Sequence, residues 1–210
     1  MGLFITIEGG DGTGKTTVMS KVVELLEKDG LDIVRTREPG GTVIGNKIRN
    51  IILDKENISI TGMCETLLFA ADRAQHVEEV VVPSCNAGKV VISDRFFDSN
   101  LAYQGVIHGY GIDKVYELNM IATKGVVPDL TLLFDLDPVI GQQRINSNKN
   151  REVNRLDLKN LEYHQKVRNA YLEVANKFKD RIVIVDASRT VEEIVAEVYK
   201  IIKNKVKGMK

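Results

Sequence analysis

The sequence predicts an α/β fold in which a five-stranded parallel sheet is flanked by helices. Short runs rich in β-branched residues alternate with longer stretches whose apolar residues recur every three or four positions. Strands are predicted at residues 3–7, 31–36, 89–93, 130–135 and 181–186. These runs are almost continuously apolar, which is typical of strands that are buried on both faces. Repeated strand–helix alternation of this kind predicts one doubly wound parallel sheet.

Helices are predicted between the strands, and three of them carry signals for their ends. The first helical stripe includes Val18 and Val22 and is followed by Gly30, which predicts a C-cap. The third stripe is predicted to stop at Pro83, because proline lacks the amide hydrogen of a continuing helix. The last helix is predicted to begin with a capping box formed by Thr190 and Glu193.

Composition limits the classes of protein to which the chain can belong. Its 210 residues include 29 Lys and Arg against 29 Asp and Glu, so the formal net charge is zero. A nucleic-acid coat protein or a polybasic membrane-surface protein would carry a large positive excess. With 43% hydrophobic residues, a single domain over residues 1–210 can form its own core without disulfides or structural metal.

Two further features predict a soluble cytoplasmic protein. Cys64 and Cys85 have no metal-ligand spacing, so we expect reduced, buried thiols. The first residues do not resemble a signal peptide, and the chain lacks a run of about 18 apolar residues that would predict a membrane span.

A phosphate-binding motif lies between the first strand and the first helix. It matches the P-loop pattern at Gly9, Gly10, Asp11, Gly12, Thr13, Gly14, Lys15 and Thr16. Glycines let backbone N–H groups point inward at a helix N-terminus, where the helix dipole favours phosphate. Lys15 is predicted to bridge the β- and γ-phosphates, and the Thr16 hydroxyl to bind Mg²⁺. The motif predicts a P-loop NTPase fold and a nucleoside triphosphate site; the alternative is a glycine-rich turn with a structural role.

Polar motifs also follow the second and third strands, at the edge where open α/β sheets bind ligands. Residues 37–42 and Arg49 follow the second strand, and Asp94, Arg95 and residues 99–105 follow the third. Both groups are predicted to line the nucleotide site, although Asp94 and Arg95 could instead form a structural ion pair.

Phe69 and Arg73 are four residues apart and share a helix face, which suits a flat base with carbonyl oxygens. The structural alternative is that Phe69 belongs to the core and that Arg73 pairs with Asp72 or Glu65. Extra arginines and a polar segment at residues 146–154 favour a kinase of small metabolites. A GTPase is disfavoured, since the chain lacks an Asn-Lys-x-Asp motif after a strand.

These motifs together resemble the bacterial-type thymidylate kinases, and the resemblance covers essentially the whole chain. It rests on the P-loop, on a helix that contains Tyr171, and on residues 37–42, 69–73, 94–96, 101–105 and 154–157. The resemblance implies transfer of a phosphoryl group from ATP to dTMP with Mg²⁺, and a homodimer formed through helices on one side of the sheet. Two rival functions stay open: another nucleoside monophosphate kinase, or a P-loop nucleotide-binding module without catalytic activity.

The resemblance also implies roles for residues around the base and sugar. Phe69 would stack on thymine while Arg73 hydrogen-bonds a base carbonyl. Tyr103 would pack beneath the sugar and exclude a 2′-hydroxyl, and Gln104 would read the edge of thymine. Asn100 is a further predicted substrate-binding residue. For Tyr103 and Gln104, helix packing or surface exposure is the structural alternative.

At the phosphates, the resemblance implies that Arg49 and Arg95 hold the monophosphate, since guanidinium matches phosphate oxygens bidentately. Glu38 is a further predicted substrate-binding residue. Asp11 would lie near the 3′-hydroxyl and the metal-bound waters, and Asp94 is a second candidate for contact to Mg²⁺ through water.

The polar segment becomes a short lid over ATP, at about residues 144–157. Because the P-loop carries no arginine, the resemblance is to the type in which lid arginines stabilise the transferring phosphoryl group. Arg151 and Arg155 are the predicted catalytic arginines, with Arg144 as a third candidate. The family's usual Asp-Arg-Ile/Phe-Glu is Asn-Arg-Leu-Asp at residues 154–157, which keeps Arg155 but leaves the roles of the neighbouring acids open.

Overall fold

The computed structural model describes residues 2–147 and 160–208. Within these residues lie the strands β1 (Leu3–Gly9), β2 (Ile33–Arg37), β3 (Val90–Asp94), β4 (Leu130–Asp135) and β5 (Ile182–Asp186). They form one sheet in the order β2-β3-β1-β4-β5, and all neighbouring strands are parallel. The predicted five-stranded parallel sheet is confirmed.

Helices connect the strands and lie on both faces of the sheet. They are α1 (Lys15–Lys28), α2 (Val43–Leu53), α3 (Gly62–His76), α4 (Val82–Asn86), α5 (Phe97–Asn100), α6 (Ile112–Thr123), α7 (Pro138–Ser147), α8 (Leu161–Lys177) and α9 (Val191–Lys207). A π-helical turn at Val77–Val81 joins α3 to α4, and a π-helical segment at Leu101–Ile107 extends α5.

Two of the three predicted helix ends are confirmed. Gly30 follows α1 with a φ of 82°, and its N–H donates to the carbonyl of Glu27, as in a Schellman C-cap. Thr190 and Glu193 form the capping box at the start of α9. The predicted stop at Pro83 is wrong. The chain remains helical because Pro83 lies in the first turn of α4, where its missing N–H does no harm.

Two hydrophobic cores cover the two faces of the sheet. Successive side chains of a strand point to opposite faces, so Ile5 and Ile7 of β1 enter one core and Phe4 enters the other. Helices α1 and α9 complete the first core, while α8 and the segment Leu101–Ile107 contribute to the second. With both faces covered, the polar motifs occupy the loops at the carboxyl ends of the strands.

The prediction that all strands are buried on both faces is wrong for the two edge strands. In β5, Val183 and Ile184 are 37% and 49% exposed, and β2 is only half-buried. The prediction of buried thiols is wrong for Cys64, which is exposed, whereas Cys85 is partly buried. Within the described part of the chain, none of the helices has the length and apolar character needed to cross a membrane.

Candidate active site

A cleft of about 410 Å³ lies beside the carboxyl ends of the first three strands. The predicted site residues that line it are Asp11, Gly12, Thr13, Gly14, Lys15, Thr16, Glu38, Arg49, Phe69, Arg73, Asp94, Arg95, Asn100, Tyr103 and Gln104. Gly9 and Gly10 line a neighbouring cavity of about 90 Å³. The predicted catalytic residues Arg151 and Arg155 lie outside the described residues. Residues that are far apart in sequence thus meet in one cleft.

The P-loop lines the end of this cleft at which phosphates are predicted to bind, called here the phosphate end. Gly9 has a φ of 136°, and a Cβ at this position would lie 2.5 Å from the carbonyl oxygen of Phe134. The Lys15 Nζ donates hydrogen bonds to the carbonyl oxygens of Gly9 at 2.8 Å and Gly10 at 2.6 Å. Burial lowers the pKa of Lys15 to about 8, and the charge of Arg95 contributes to the decrease. A phosphate beside Lys15 would favour its charged form, so the loop is prepared for an anion.

Arg95 lines the cleft, and its guanidinium lies beside the P-loop residue Asp11. Its backbone is left-handed, with a φ of 68°, which is uncommon for a residue other than glycine. Nη1 donates to the hydroxyls of Tyr171 at 2.6 Å and Ser99 at 3.1 Å, and Nη2 lies 3.4 Å from Asp11 Oδ1. Arg95 is therefore paired with Asp11 rather than with Asp94, the ion-pair partner that the sequence left open.

Glu8 accepts hydrogen bonds from the two hydroxyl groups that hold Arg95, and the sequence prediction did not include it. Its Oε1 accepts from the N–H of Phe96 at 2.8 Å, and its Oε2 accepts from the hydroxyls of Ser99 at 2.6 Å and Tyr171 at 3.2 Å. Burial raises the pKa of Glu8 to about 7, and the charge of Asp98 adds to the rise. The sequence did contain a signal for Glu8, because this residue directly follows the apolar strand run and directly precedes the P-loop.

Helix α3 lines the end of the cleft at which the base is predicted to bind, called here the base end. Phe69 is half-buried and lines the cleft, so it is not a core residue. Arg73 is 2% exposed, and its Nη2 lies 2.8 Å from Glu38 Oε2. Glu38 is thus the ion-pair partner of Arg73, in place of Asp72 or Glu65, the partners expected if Arg73 were purely structural. A charge paired in this way is fixed in position.

Two further residues of α3 hold the loop that carries Glu38, and the sequence prediction missed both. His76 Nδ1 lies 2.8 Å from Glu38 Oε1, and its Nε2 lies 2.7 Å from the hydroxyl of Thr36. Asp72 Oδ1 accepts from the N–H of Gly40 at 2.9 Å. Burial raises the pKa of Asp72 to about 7, with a further contribution from the charge of Glu38. The loop after β2 is therefore anchored to α3 on both sides of Arg73.

Comparison with known proteins decides the family. A family model described as Thymidylate kinase matches residues 7–198. The chain belongs to the thymidylate kinase family. A thymidylate kinase of Geobacillus sp. (strain WCH70) is 46% identical over 207 residues, which cover 99% of both chains. A thymidylate kinase of Clostridium novyi (strain NT) is 45% identical and covers 96% of this chain and 98% of its own.

A solved structure agrees with the sequence comparisons. The crystal structure of thymidylate kinase from Ehrlichia chaffeensis has a TM-score of 0.77 and 30% sequence identity, over 96% of this chain and 98% of that chain. The predicted resemblance and the predicted P-loop NTPase fold class are both confirmed.

The predicted lid, at about residues 144–157, lies within the described residues only at its start. Arg144, in α7, donates from Nη1 to the carbonyl oxygen of Ala187 at 3.0 Å and does not line the cleft. It therefore lies beside the loop between β5 and α9. The roles of Arg151 and Arg155 stay predictions.

The chemistry of the site fits a magnesium ion held mainly by a nucleotide. Within residues 2–147 and 160–208 there is no group of three or more His, Cys, Asp or Glu that could hold a metal by itself. A P-loop instead uses one hydroxyl together with the nucleotide phosphates. Thr16 lines the cleft with Asp11 and Asp94, so the required hydroxyl and two nearby carboxylates are present.

Proposed function

We propose that this protein transfers the γ-phosphoryl group of ATP to the 5′-phosphate of dTMP, giving ADP and dTDP. One observation carries the proposal: a single cleft contains the P-loop lysine Lys15, the arginines Arg49 and Arg95, and the pair Phe69 and Arg73. A triphosphate, an acceptor phosphate and a base each have a matching group in this cleft. The names of the curated relatives agree with this reaction.

The phosphoryl transfer needs positioning and charge more than acid–base chemistry. The acceptor phosphate is already anionic, so a strong general base is unnecessary. Lys15 and Arg95 would neutralise negative charge on the phosphates, and Arg49 would bind the acceptor. The contacts of Arg95 with Ser99 and Tyr171 support this role, because they hold its guanidinium toward Asp11 and the P-loop.

Mg²⁺ and the lid would complete the site for ATP. The Thr16 hydroxyl would bind the ion, with Asp11 and Asp94 contacting it through water. When bound, Mg²⁺ neutralises charge on the β- and γ-phosphates. Arg151 and Arg155 would stabilise the transferring group when the lid closes and excludes water.

The base and sugar end would select thymidylate. Phe69 would stack on the base, and Arg73, held by Glu38, would donate to a base carbonyl. Since the thymine methyl is worth about 1–3 kcal/mol in an apolar pocket, dUMP should be a poorer substrate that still reacts. Tyr103 lines the cleft and should reject a ribose 2′-hydroxyl more firmly, so UMP should not rival dTMP.

The protein is further proposed to act as a homodimer through helices on one side of the sheet. Helices α2 and α3 pack together, and their outer faces expose large apolar side chains: Val43, Ile44, Ile51, Met63 and Leu67. A second copy of the chain would cover this surface. Sedimentation should give a dimer for the wild type and a monomer for Leu67→Glu, and a monomeric wild type would contradict the proposal.

The cytoplasm is the proposed compartment. Cys64 and Cys85 are free thiols in the structure, which is the usual state in a reducing environment. ATP and dTMP, the proposed substrates, are metabolites of the same compartment. Fractionation of cells should recover the dTMP-dependent activity with soluble cytoplasmic enzymes.

A coupled ADP-release assay across dTMP, dUMP, UMP, CMP, AMP and GMP tests the function. We expect dTMP to react best, dUMP to react more slowly and the others to give little ADP. A preference for AMP or CMP would indicate another nucleoside monophosphate kinase. Absence of ADP with every acceptor would indicate a nucleotide-binding module without catalytic activity.

A further inference from the structure

Five buried polar side chains form a continuous hydrogen-bonded chain at the base end of the cleft, from Arg73 through Asn119, Asn100 and Gln104 to Glu65. Arg73 Nη1 donates to Asn119 Oδ1, and Asn119 Nδ2 donates to Asn100 Oδ1 at 3.0 Å. Asn100 Nδ2 donates to Gln104 Oε1 at 2.7 Å, and Gln104 Nε2 donates to Glu65 Oε1 at 2.8 Å. Each of the five residues is at most 5% exposed.

The two ends of this hydrogen-bonded chain determine the orientation of the three side-chain amides between them. A guanidinium offers donors only, and a carboxylate offers acceptors only. Rotating any of the three amides by half a turn would place donor against donor or acceptor against acceptor, away from water. Asn119 is fixed a second time, because its Nδ2 also donates to the carbonyl oxygen of Val115 at 2.7 Å. The amide of Gln104 therefore has one orientation.

That orientation matters because Gln104 and Arg73 both line the cleft. Thymine presents an N–H next to a carbonyl, whereas cytosine presents a bare nitrogen next to an amino group. An amide that accepts from the thymine N–H and donates to its carbonyl is matched to thymine. The same amide, rotated by half a turn, is matched to cytosine. A freely rotating glutamine would accept both bases.

We propose that Glu65 and Asn119 are positioning residues that select thymine over cytosine by fixing the amide of Gln104. The inference rests on the proposed phosphorylation of dTMP and adds two specificity residues to it. Glu65 acts from α3 and Asn119 from α6, so the π-helical segment that carries Gln104 is held between them. Neither residue needs to touch the base.

The test is the ratio of kcat/KM for dTMP to kcat/KM for dCMP in Glu65→Gln. Glutamine has the size of glutamate but both donates and accepts, so it removes one of the two contacts that oppose rotation of Gln104 and leaves the hydrogen bond from Asn100. We expect the ratio to fall about tenfold, through a higher KM for dTMP and a gain for dCMP, while kcat for dTMP stays within about threefold. Wild type that fails to phosphorylate dTMP would instead reject the proposed function itself.

Matched variants separate positioning from general loss of structure. Glu65→Asp keeps an acceptor-only group and should keep the ratio, even if KM rises. Glu117→Gln, at an exposed position of α6, should change nothing. Folded Glu65→Gln with an unchanged ratio, or with equal losses for both acceptors, would overturn the proposal.

A double variant tests whether the hydrogen bonds between Arg73 and Glu65 share one direction. Asn119→Asp alone places an acceptor where Asn100 needs a donor, and we expect a lower unfolding temperature. Adding Glu65→Gln lets the amides of Asn100 and Gln104 rotate together, so the double variant should have the lowest ratio of dTMP to dCMP. It should regain only part of the unfolding temperature, because Asn119→Asp also removes the hydrogen bond to the Val115 carbonyl. Should the two substitutions be additive in both measurements, the chain does not act as a unit. Unfolding is followed by circular dichroism, so this result is obtained even if a variant has lost activity.

Discussion

The phosphate end and the base end of the cleft are built from different parts of the chain. The phosphate end is built around the consecutive residues of the P-loop, 9–16, whose backbone turns around glycines with positive φ, and it includes Arg95 beside Asp11. The base end consists of side chains from three helices, in which Arg73 contacts Asn119 across 46 positions of the sequence. At the phosphate end Lys15 bonds to loop carbonyls, whereas at the base end the side chains bond to one another.

This difference follows from what each end has to recognise. Phosphate groups are alike in all nucleotides, so backbone N–H groups and positive charge are sufficient. Bases differ in the order of their donors and acceptors, so distinguishing them by hydrogen bonds requires polar groups of fixed orientation. The phosphate end should therefore set the rate for every acceptor, and the base end should set the choice of acceptor.

The largest expected effect is at the phosphate end. Lys15→Ala removes the one lysine in the P-loop, and we expect turnover to fall on the order of 10³-fold while the protein stays folded. Lys21→Ala, which removes an exposed lysine of the same helix, should leave turnover unchanged. Turnover is measured by ADP release and folding by circular dichroism. Near wild-type turnover of Lys15→Ala would show that the assigned role is wrong.

Glu8→Gln tests the buried carboxyl group of Glu8, which lies next to the phosphate end. Because burial raises the pKa of Glu8 from 4.5 to about 7, the folded protein keeps a proton that the unfolded chain releases between these values. The contribution of protonated Glu8 to the unfolding free energy is therefore complete below pH 4.5 and is lost as pH rises toward 7. Relative to wild type, Glu8→Gln should gain about 3 kcal/mol of unfolding free energy between pH 5 and pH 8.

Urea denaturation of both proteins at pH 5 and pH 8 measures this difference. Comparing the two proteins removes the contribution of other groups such as Asp72, whose pKa is also raised. Parallel pH dependence of wild type and variant would mean that Glu8 is not a titrating group of the folded protein.

Gly9→Ala sharpens the claim that the phosphate end depends on its backbone. The φ of 136° and the close carbonyl of Phe134 leave no room for a side chain, so we expect a loss of about 2 kcal/mol of unfolding free energy. Gly10→Ala is the matched control, since a Cβ there would meet nothing within 4 Å. Equal unfolding free energies of the two variants would contradict the claim that the backbone at Gly9 excludes a side chain.

The smallest expected effect lies outside the cleft. Thr190 caps α9, and Thr190→Ala should cost about 1 kcal/mol of unfolding free energy without changing turnover or the choice of acceptor. Thr190→Ser should recover most of the loss. A change in acceptor preference here would show that loss of stability alone alters specificity, and it would weaken the comparison between the two ends.

Features that depend on neighbouring residues could be predicted from the sequence. The strands, the P-loop, the Gly30 C-cap and the Thr190 capping box each depend on a few adjacent residues. The exposure of β2 and β5 could not be predicted, because their apolar runs resemble those of the central strands and only the strand order places them at the edges. The helix through Pro83 was missed because the sequence does not show that α4 begins at Val82, which places Pro83 in a first turn where its N–H is not needed.

At the site, the residue types were predicted more readily than their partners. Phe69, Arg73, Gln104 and Arg95 were placed in the cleft by motif and resemblance. The pairing of Arg73 with Glu38 was not, because it spans the loop after β2 and requires the packing of α3 against that loop. The direction of the hydrogen bonds from Arg73 to Glu65 depends on all five side chains together. It could not be predicted from any one position in the sequence.

The ratio of kcat/KM for dTMP to kcat/KM for dCMP in Arg95→Ala and in Glu65→Gln tests the division between the two ends most directly. Arg95→Ala should lower kcat/KM for both acceptors on the order of 10³-fold and leave their ratio within about threefold of wild type. Glu65→Gln should lower the ratio about tenfold with a much smaller change in turnover. A ratio that shifts in Arg95→Ala and stays constant in Glu65→Gln would contradict the account.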